Sequence, residues 1–192
     1  MRWHNDLFAS SSLERCFRTK SRDRGLRGLG HLAVQFATKM GADVTVVTTS
    51  PEKEQDARRF GAKDVLINKD GADWSKHARA FDFILDTIPY QHDLDRFLPL
   101  LKRDATLCRV GVGKLTTPNQ YGQMTTVLNR TALAGSNTGG IRETQDMLDF
   151  CAVQNIKPQI TKIPMDGINE AWSKVIAKQA RYRFVMDMGM KA

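Results

Sequence analysis

The sequence predicts an α/β fold of the doubly wound parallel type, on three observations. Short β-branched runs recur, apolar on both faces, as in Val44–Thr48. Segments of helical period follow them, and glycine or proline marks most junctions. Strands alternating with helices of roughly 10–15 residues build a parallel sheet, because parallel neighbours need a crossover between them.

The pattern becomes regular at Gly28. Leu32, Val34, Phe36, Ala37 and Met40 lie on a mostly buried helix that stops at Gly41. Val44–Thr48 suits a parallel strand covered on both faces. Ser50 supplies an N-cap, Pro51 fits the first turn, and Glu52 and Glu54 suit the positive end of the helix dipole. That helix ends near Phe60 and Gly61. Val65–Ile67 is a strand, Phe81–Leu85 another, Leu94–Leu101 a helix, and Thr106–Val112 a strand closing on Gly111 and Gly113. Thr131–Ala134 is a further strand, Arg142–Gln154 a helix, and Gln159–Ile163 a strand ended by Pro164. Residues 1–27 show neither period, so the strand expected before the first helix is degraded. Without its buried side chains, each worth about 1.5–3 kcal/mol, a marginal or partly unfolded domain is expected.

With 192 residues, 41% of them hydrophobic, the chain can form one domain, burying roughly 70% of the surface its unfolded form exposes. No run approaches the roughly 20 apolar residues of a membrane-spanning helix. The N-terminus lacks a signal peptide's apolar core, and three scattered cysteines make no disulfide framework. A cytoplasmic protein without a membrane partner is expected. The net charge of +8 raises nucleic acid as a partner. Half of it sits in residues 1–27, where Arg2, Arg15, Arg18, Lys20, Arg22, Arg24 and Arg27 face only Asp6, Glu14 and Asp23. The remainder defines no basic face, so no nucleic-acid partner is expected.

Gly25-Leu-Arg-Gly28-Leu-Gly30 opens the first helix. In a dinucleotide-binding turn the first glycine makes the tight turn, the second admits the pyrophosphate, and the third lets helix and strand pack closely. Gly25 and Gly30 fit the first and third positions, and Arg27 stands at the second. Gly28, Leu29 and Gly30 keep the later part of the turn, where a helix N-terminus offers N–H groups to phosphate. An acid near the end of the second strand would bind a ribose 2′-hydroxyl. Here Thr48, Thr49 and Ser50 are followed by Lys53, with no acid before Glu52. Hydroxyls and a lysine suit the 2′-phosphate of NADP; the plain alternative is a helix cap at Ser50 and a solvated Lys53. Asp86, Thr87, Gly111 and Val112 fall at carboxyl ends of strands, where open sheets bind ligands. Trp74, Trp172 and His31 read as packing residues, and Cys108 and Cys151 as inert apolar positions.

Several separated blocks carry a family resemblance: GLGHLAVQFATKMGADVTVVTTSPEK, DARRFGAKDVLIN, FDFILDT, LLKRDATLCRVGV, AGSNTGGIRETQDMLDFCA and YRFVMDM. In this order they closely resemble the zinc-dependent medium-chain alcohol dehydrogenases, nearest the NADP-dependent branch of cinnamyl-alcohol-dehydrogenase type, over residues 28–192. The resemblance implies a Rossmann-like NADP-binding domain over 28–163. It implies a return segment over 164–192, directed towards a catalytic domain. It places Gly135, Ser136 and Asn137 beside the nicotinamide and takes Arg183 to the cofactor phosphates. Zinc in these relatives is held by the catalytic domain. Cys16, Cys108 and Cys151, with His4, His31, His77 and His92, have no ligand-like spacing, so neither a metal site nor a catalytic residue is expected here. Relatives move a hydride between NADP(H) and an alcohol or aldehyde carbon. This chain is therefore expected to bind NADP(H) and, alone, to turn over no small alcohol or aldehyde. The resemblance also allows a homodimer through the sheet edge near Thr131–Asn137.

Residues 1–27 read as a foreign or disordered basic head, and the genetic code offers an origin for it. The codons of Met1 to Ala9, read one base later, permit Cys-Ala-Gly-Ile-Thr-Thr-Tyr-Ser-Pro, which resembles the family segment bearing a zinc-ligand cysteine. Those of Arg18 to Arg27 permit Gly-Gln-Asn-Leu-Gly-Ile-Val-Gly-Phe-Gly, an apolar strand that runs into the missing second glycine. An out-of-frame head joined near Gly28 is the expectation. Two other functional readings stay open: a non-catalytic dinucleotide-binding module, and a basic-armed nucleic-acid binder whose affinity would fall steeply with salt.

Overall fold

A computed structural model describes residues 28–69, 74–111, 120–177 and 179–189, with the backbone of 18–20. Six strands form one sheet: β1 (Arg18–Lys20), β2 (Thr45–Thr48), β3 (Asp64–Ile67), β4 (Phe81–Asp86), β5 (Leu101–Arg109) and β6 (Ala132–Gly135). Their order is β3-β2-β1-β4-β5-β6, and every neighbouring pair is parallel. A second sheet pairs β7 (Ile160–Ile163) with β8 (Arg183–Met186), also in parallel. The helices among the described residues are α1 (Gly30–Lys39), α2 (Glu54–Arg59), α3 (Gln123–Asn129), α4 (Ile141–Gln154) and α5 (Ile168–Ile176). This is the doubly wound α/β architecture expected.

Alternation along β2 shows why the sheet is covered on both faces. Val46 joins Val34 and Ala37 of α1 and Ala57 of α2 in one apolar cluster. Its neighbour Val47 joins Ile84, Leu107, Phe97 and Trp74 in the other, because successive side chains of a strand point to opposite faces. Gly61 closes the turn after α2 at φ +106°, and a Cβ there would lie 2.8 Å from the Thr38 side chain. The Thr38 hydroxyl instead donates to the Gly61 carbonyl at 3.1 Å.

Several elements differ from the sequence reading. The apolar stretch Leu94–Leu101 is not a helix but a run of turns with one 3-10 turn, Leu98–Leu100. Pro99 lacks an N–H and disfavours helical backbone at Leu98. The strand expected over Thr106–Val112 starts at Leu101 and ends at Arg109. Its extra length holds an irregularity: Phe81 pairs with Leu101 but Phe83 with Thr106, and Asp104 takes φ +64°. The segment after Ser50 begins as a 3-10 turn, Pro51–Lys53, before α2, and the Ser50 side chain makes no capping bond. The short helices α3 and α5 have no counterpart in the sequence reading. Trp74 is buried as expected, but Trp172 is 66% exposed. Cys151, expected in an apolar environment, is half-buried on α4, which has no fully buried residue.

The head also departs from expectation at one point. Residues 18–20 form a strand in the centre of the sheet, pairing with β2 on one side and β4 on the other. No apolar run marks it, and its place is set by the hydrogen-bonding edges of its neighbours rather than by local pattern. The rest of residues 1–27, including Gly25, Arg27 and Cys16, lies outside the described residues.

Ile84, fully buried on β4, lies against the cluster that joins the sheet to Trp74 and Phe97. Ile84→Ala is expected to cost about 2–5 kcal/mol. In urea denaturation the midpoint falls while the slope is unchanged.

Candidate functional site

Parallel pairing brings the carboxyl ends of the strands to one edge. Lys20 pairs with Val47 and with Asp86, Asp86 with Arg109, and Arg109 with Gly135. From β2 to β6 this row covers four strand spacings, about 19 Å. The strand order reverses between β1 and β4, and an open α/β sheet has its binding crevice at such a switch point.

Gly28 and Leu29 form the turn into α1, with Leu29 at its N-cap and neither a side-chain cap nor an acid in the first turn. Gly30 is buried. At Gly28 a Cβ would have only the Arg183 side chain within 4 Å, its Nε at 3.6 Å. An Nη2 N–H of Arg183 donates to the Gly28 carbonyl at 3.1 Å. The C-terminal strand β8 thus carries an exposed guanidinium to the glycine turn.

On the other side of the switch point, Thr48 is fully buried and its Oγ1 accepts the Ser50 N–H at 3.2 Å. Thr49 and Ser50 are half-buried, and Lys53 is 8% exposed, so it is not the solvated lysine of the plain alternative. The Ser50 hydroxyl is not engaged as a helix cap.

Asp86 ends β4 with its side chain 1% exposed. Oδ1 accepts the Ile88 N–H at 3.0 Å, while Oδ2 stands 3.0 Å from His92 Nε2 and 3.2 Å from Arg109 Nε. Its backbone carbonyl accepts the Val110 N–H at 2.9 Å and the Gly111 N–H at 3.3 Å. The carboxylate is engaged within the protein, where it joins the loops after β4 and β5. Gly111 is needed for that approach: a Cβ there would meet the Ile88 carbonyl oxygen at 2.3 Å. Thr87 is half-buried between Asp86 and Ile88, and Val112 lies outside the described residues. Nearby Cys108 is buried, and burial together with the Asp86 charge pushes its thiol pKa up, against a reactive thiolate.

At the end of β6 Gly135 is exposed, and just beyond it Ser136 is half-buried and Asn137 exposed. The Ser136 N–H donates to the Arg109 carbonyl at 3.0 Å, and Asn137 Oδ1 accepts the Thr138 N–H at 2.8 Å. His31 is a packing residue, fully buried, with its ring stacked on Tyr182 and Nε2 accepting the Gln159 N–H at 3.2 Å. Among the described residues no three His, Cys, Asp or Glu side chains converge on a point that could hold a metal ion, and no helix is long and apolar enough to cross a membrane. The structure thus brings Gly28–Gly30, the Thr48–Lys53 turn, Asp86–Thr87, Gly111, Gly135–Asn137 and Arg183 to one side of the sheet. His92, Arg109 and Tyr182 were not singled out for a site by their sequence; an isolated acid ending an apolar strand, as Asp86 does, was the available signal for the first two.

The chain is 43% identical over 164 residues to NADP-dependent alcohol dehydrogenase C of Mycobacterium bovis, covering 85% of this chain and 47% of that protein. Its fold is similar to a cinnamyl alcohol dehydrogenase of Sorghum bicolor, with TM-score 0.82 and 32% identity over 92% of this chain and 49% of that one. It is also similar to the CAD of Helicobacter pylori complexed with NADP(H), with TM-score 0.75 and 32% identity over 93% of this chain and 48% of that one. The chain spans about half the length of the curated relatives it matches. The zinc-binding dehydrogenase family profile matches residues 28–153, most of the regular sheet and its helices, and the chain belongs to that family.

Proposed function

We propose that this chain is the NADP(H)-binding half of an alcohol or aldehyde dehydrogenase. The observation that carries the reading is the row of strand ends at the switch point, with Arg183 held on the Gly28 carbonyl. The N–H groups at the start of α1 and the Arg183 guanidinium would hold the pyrophosphate. Thr49, Ser50 and Lys53, with no acid at the end of β2, would receive the 2′-phosphate. Asp86 holds the loops after β4 and β5 in place rather than meeting the cofactor. Gly135–Asn137, furthest along the row, would border the nicotinamide, which when bound supplies the hydride chemistry. The described residues do not fit a zinc site, and no step here runs through one. NADP-dependent relatives and the NADP(H) complex of a structural neighbour support the choice of cofactor.

A homodimer is part of the same proposal, since β6 ends the sheet and leaves its outer edge unpaired among the described strands. The domain division at 27/28 and 163/164 is proposed likewise, with the head read as an out-of-frame translation.

Titration of the 192-residue chain by NADPH fluorescence tests the cofactor reading. Ser50→Asp puts a carboxylate where the 2′-phosphate would lie and breaks no side-chain cap. NADPH affinity is expected to fall by about tenfold or more, roughly 1.4 kcal/mol or above, with NADH affinity unchanged; an equal loss for both would count against the 2′-phosphate site. Nucleotide sequencing through codon 28 and the region upstream tests the head. A single inserted or missing base near Gly28, with zinc-ligand codons in the continuing frame, is expected. Codons incompatible with the shifted peptides would refute it.

A further inference from the structure

The C-terminal strand pair is fastened to the first helix and to α2 at Gln159, whose N–H donates to His31 and whose Oε1 accepts from Arg59, and at one aromatic side chain. Tyr182 precedes Arg183 and is 5% exposed. Its ring stacks on His31 of α1, with centroids 4.9 Å apart, and meets Phe60 edge-on at 5.7 Å. Its hydroxyl donates to Asp56 Oδ2 at 2.6 Å. Asp56 lies on α2, just after the Ser50–Lys53 turn, and His31 lies just after the Gly28–Gly30 turn. Tyr182 thus touches both the helix that follows the glycine turn and the helix that follows the Ser50–Lys53 turn. Asp56 is engaged further by Arg59, 3.3 Å from Oδ1, and Arg181, 3.9 Å from Oδ2.

We propose that Tyr182 is a positioning residue of the cofactor site, fixing Arg183 on the glycine turn by anchoring its strand to α2. The proposal rests on the NADP(H) reading above and concerns how the binding groups are held. Without its hydroxyl bond the ring can still stack on His31, but the segment that carries Arg183 keeps only the longer Arg181–Asp56 contact, 3.9 Å, as its own polar link to α2. A buried phenol needs a partner for its hydroxyl wherever it packs, and here that partner is a carboxylate on α2, the helix that follows the Ser50–Lys53 turn. Burial and the hydrogen bond to Asp56 both hold the proton on the phenol, raising its pKa. The hydroxyl therefore remains a donor throughout the pH range of a binding experiment.

The test uses the full 192-residue chain, with Tyr182→Phe as the first variant. NADPH should bind about five- to tenfold more weakly, less than the full worth of a hydrogen bond to a charged group because the ring still packs on His31 and Arg181 still faces Asp56. Because Tyr182 acts through Arg183, combining Tyr182→Phe with Arg183→Gln should weaken binding no further than Arg183→Gln alone; additive losses would overturn the proposal. Asp56→Asn keeps an acceptor and should stay within about twofold of wild type, while Asp56→Ala should behave like Tyr182→Phe. This pair serves if Tyr182→Phe fails to fold. Amide exchange without cofactor gives a second readout: Tyr182→Phe should speed exchange at residues 28–33 and 183–186 and leave β2–β5 unchanged. Unchanged exchange at both segments would overturn the proposal, as would wild-type affinity in Tyr182→Phe. Failure of the wild-type chain to bind NADPH would instead overturn the cofactor reading, and this proposal with it.

Discussion

In-phase parallel pairing is the constraint on which the other features depend. When β2, β1, β4, β5 and β6 run the same way, their carboxyl ends stand along one edge, and each chain must leave the sheet there before it can return. Loops carrying Ser50, Thr87, Gly111 and Ser136 are then neighbours although they are far apart in sequence. Both faces must be covered, which requires apolar side chains on each side of a strand and accounts for the adjacent Val46 and Val47 in separate clusters. The centre of the sheet is its shortest part, since β1 contributes only three residues.

Polar groups at the carboxyl edge stiffen what the apolar clusters leave open. Asp86 accepts from the backbone of its own loop and lies against His92 and Arg109, so one buried carboxylate holds the ends of two strands together. Such a group is costly to bury unless paired, and here its partners surround it. The close approach of Gly111 to Ile88 completes the junction without any side chain. Tyr182 and Asp56 likewise join segments 126 positions apart. Binding loops are in this way supported from below by groups that need not touch a ligand.

Local pattern made some of this legible and not the rest. Val44–Thr48 and Phe81–Leu85 announce strands because their own side chains are buried, and Arg142–Gln154 announces a helix because its period is long. Leu94–Leu101 misleads: Phe97, Leu98 and Leu100 are buried, but from turns around Pro99, and an apolar count cannot tell a buried turn from a helix. The strand at Arg18–Lys20 has no local signal, since its neighbours supply the reason for it. The glycine turn and the acid-free end of β2 could be read directly from residue chemistry. Arg183 could be assigned only through resemblance, and Tyr182 with Asp56 only once the fold had brought distant segments together.

The two tryptophans among the described residues sit in opposite surroundings. Trp74 packs edge-on against Phe97 with the Arg96 guanidinium over its ring, whereas Trp172 stands largely in water on α5. Their emission should differ in colour and in access to a dissolved quencher. In a chain whose Trp3 is replaced, light from Trp74 follows the integrity of the sheet, while light from Trp172 follows whatever comes to cover α5, so that folding and association have separate optical reporters without any added label.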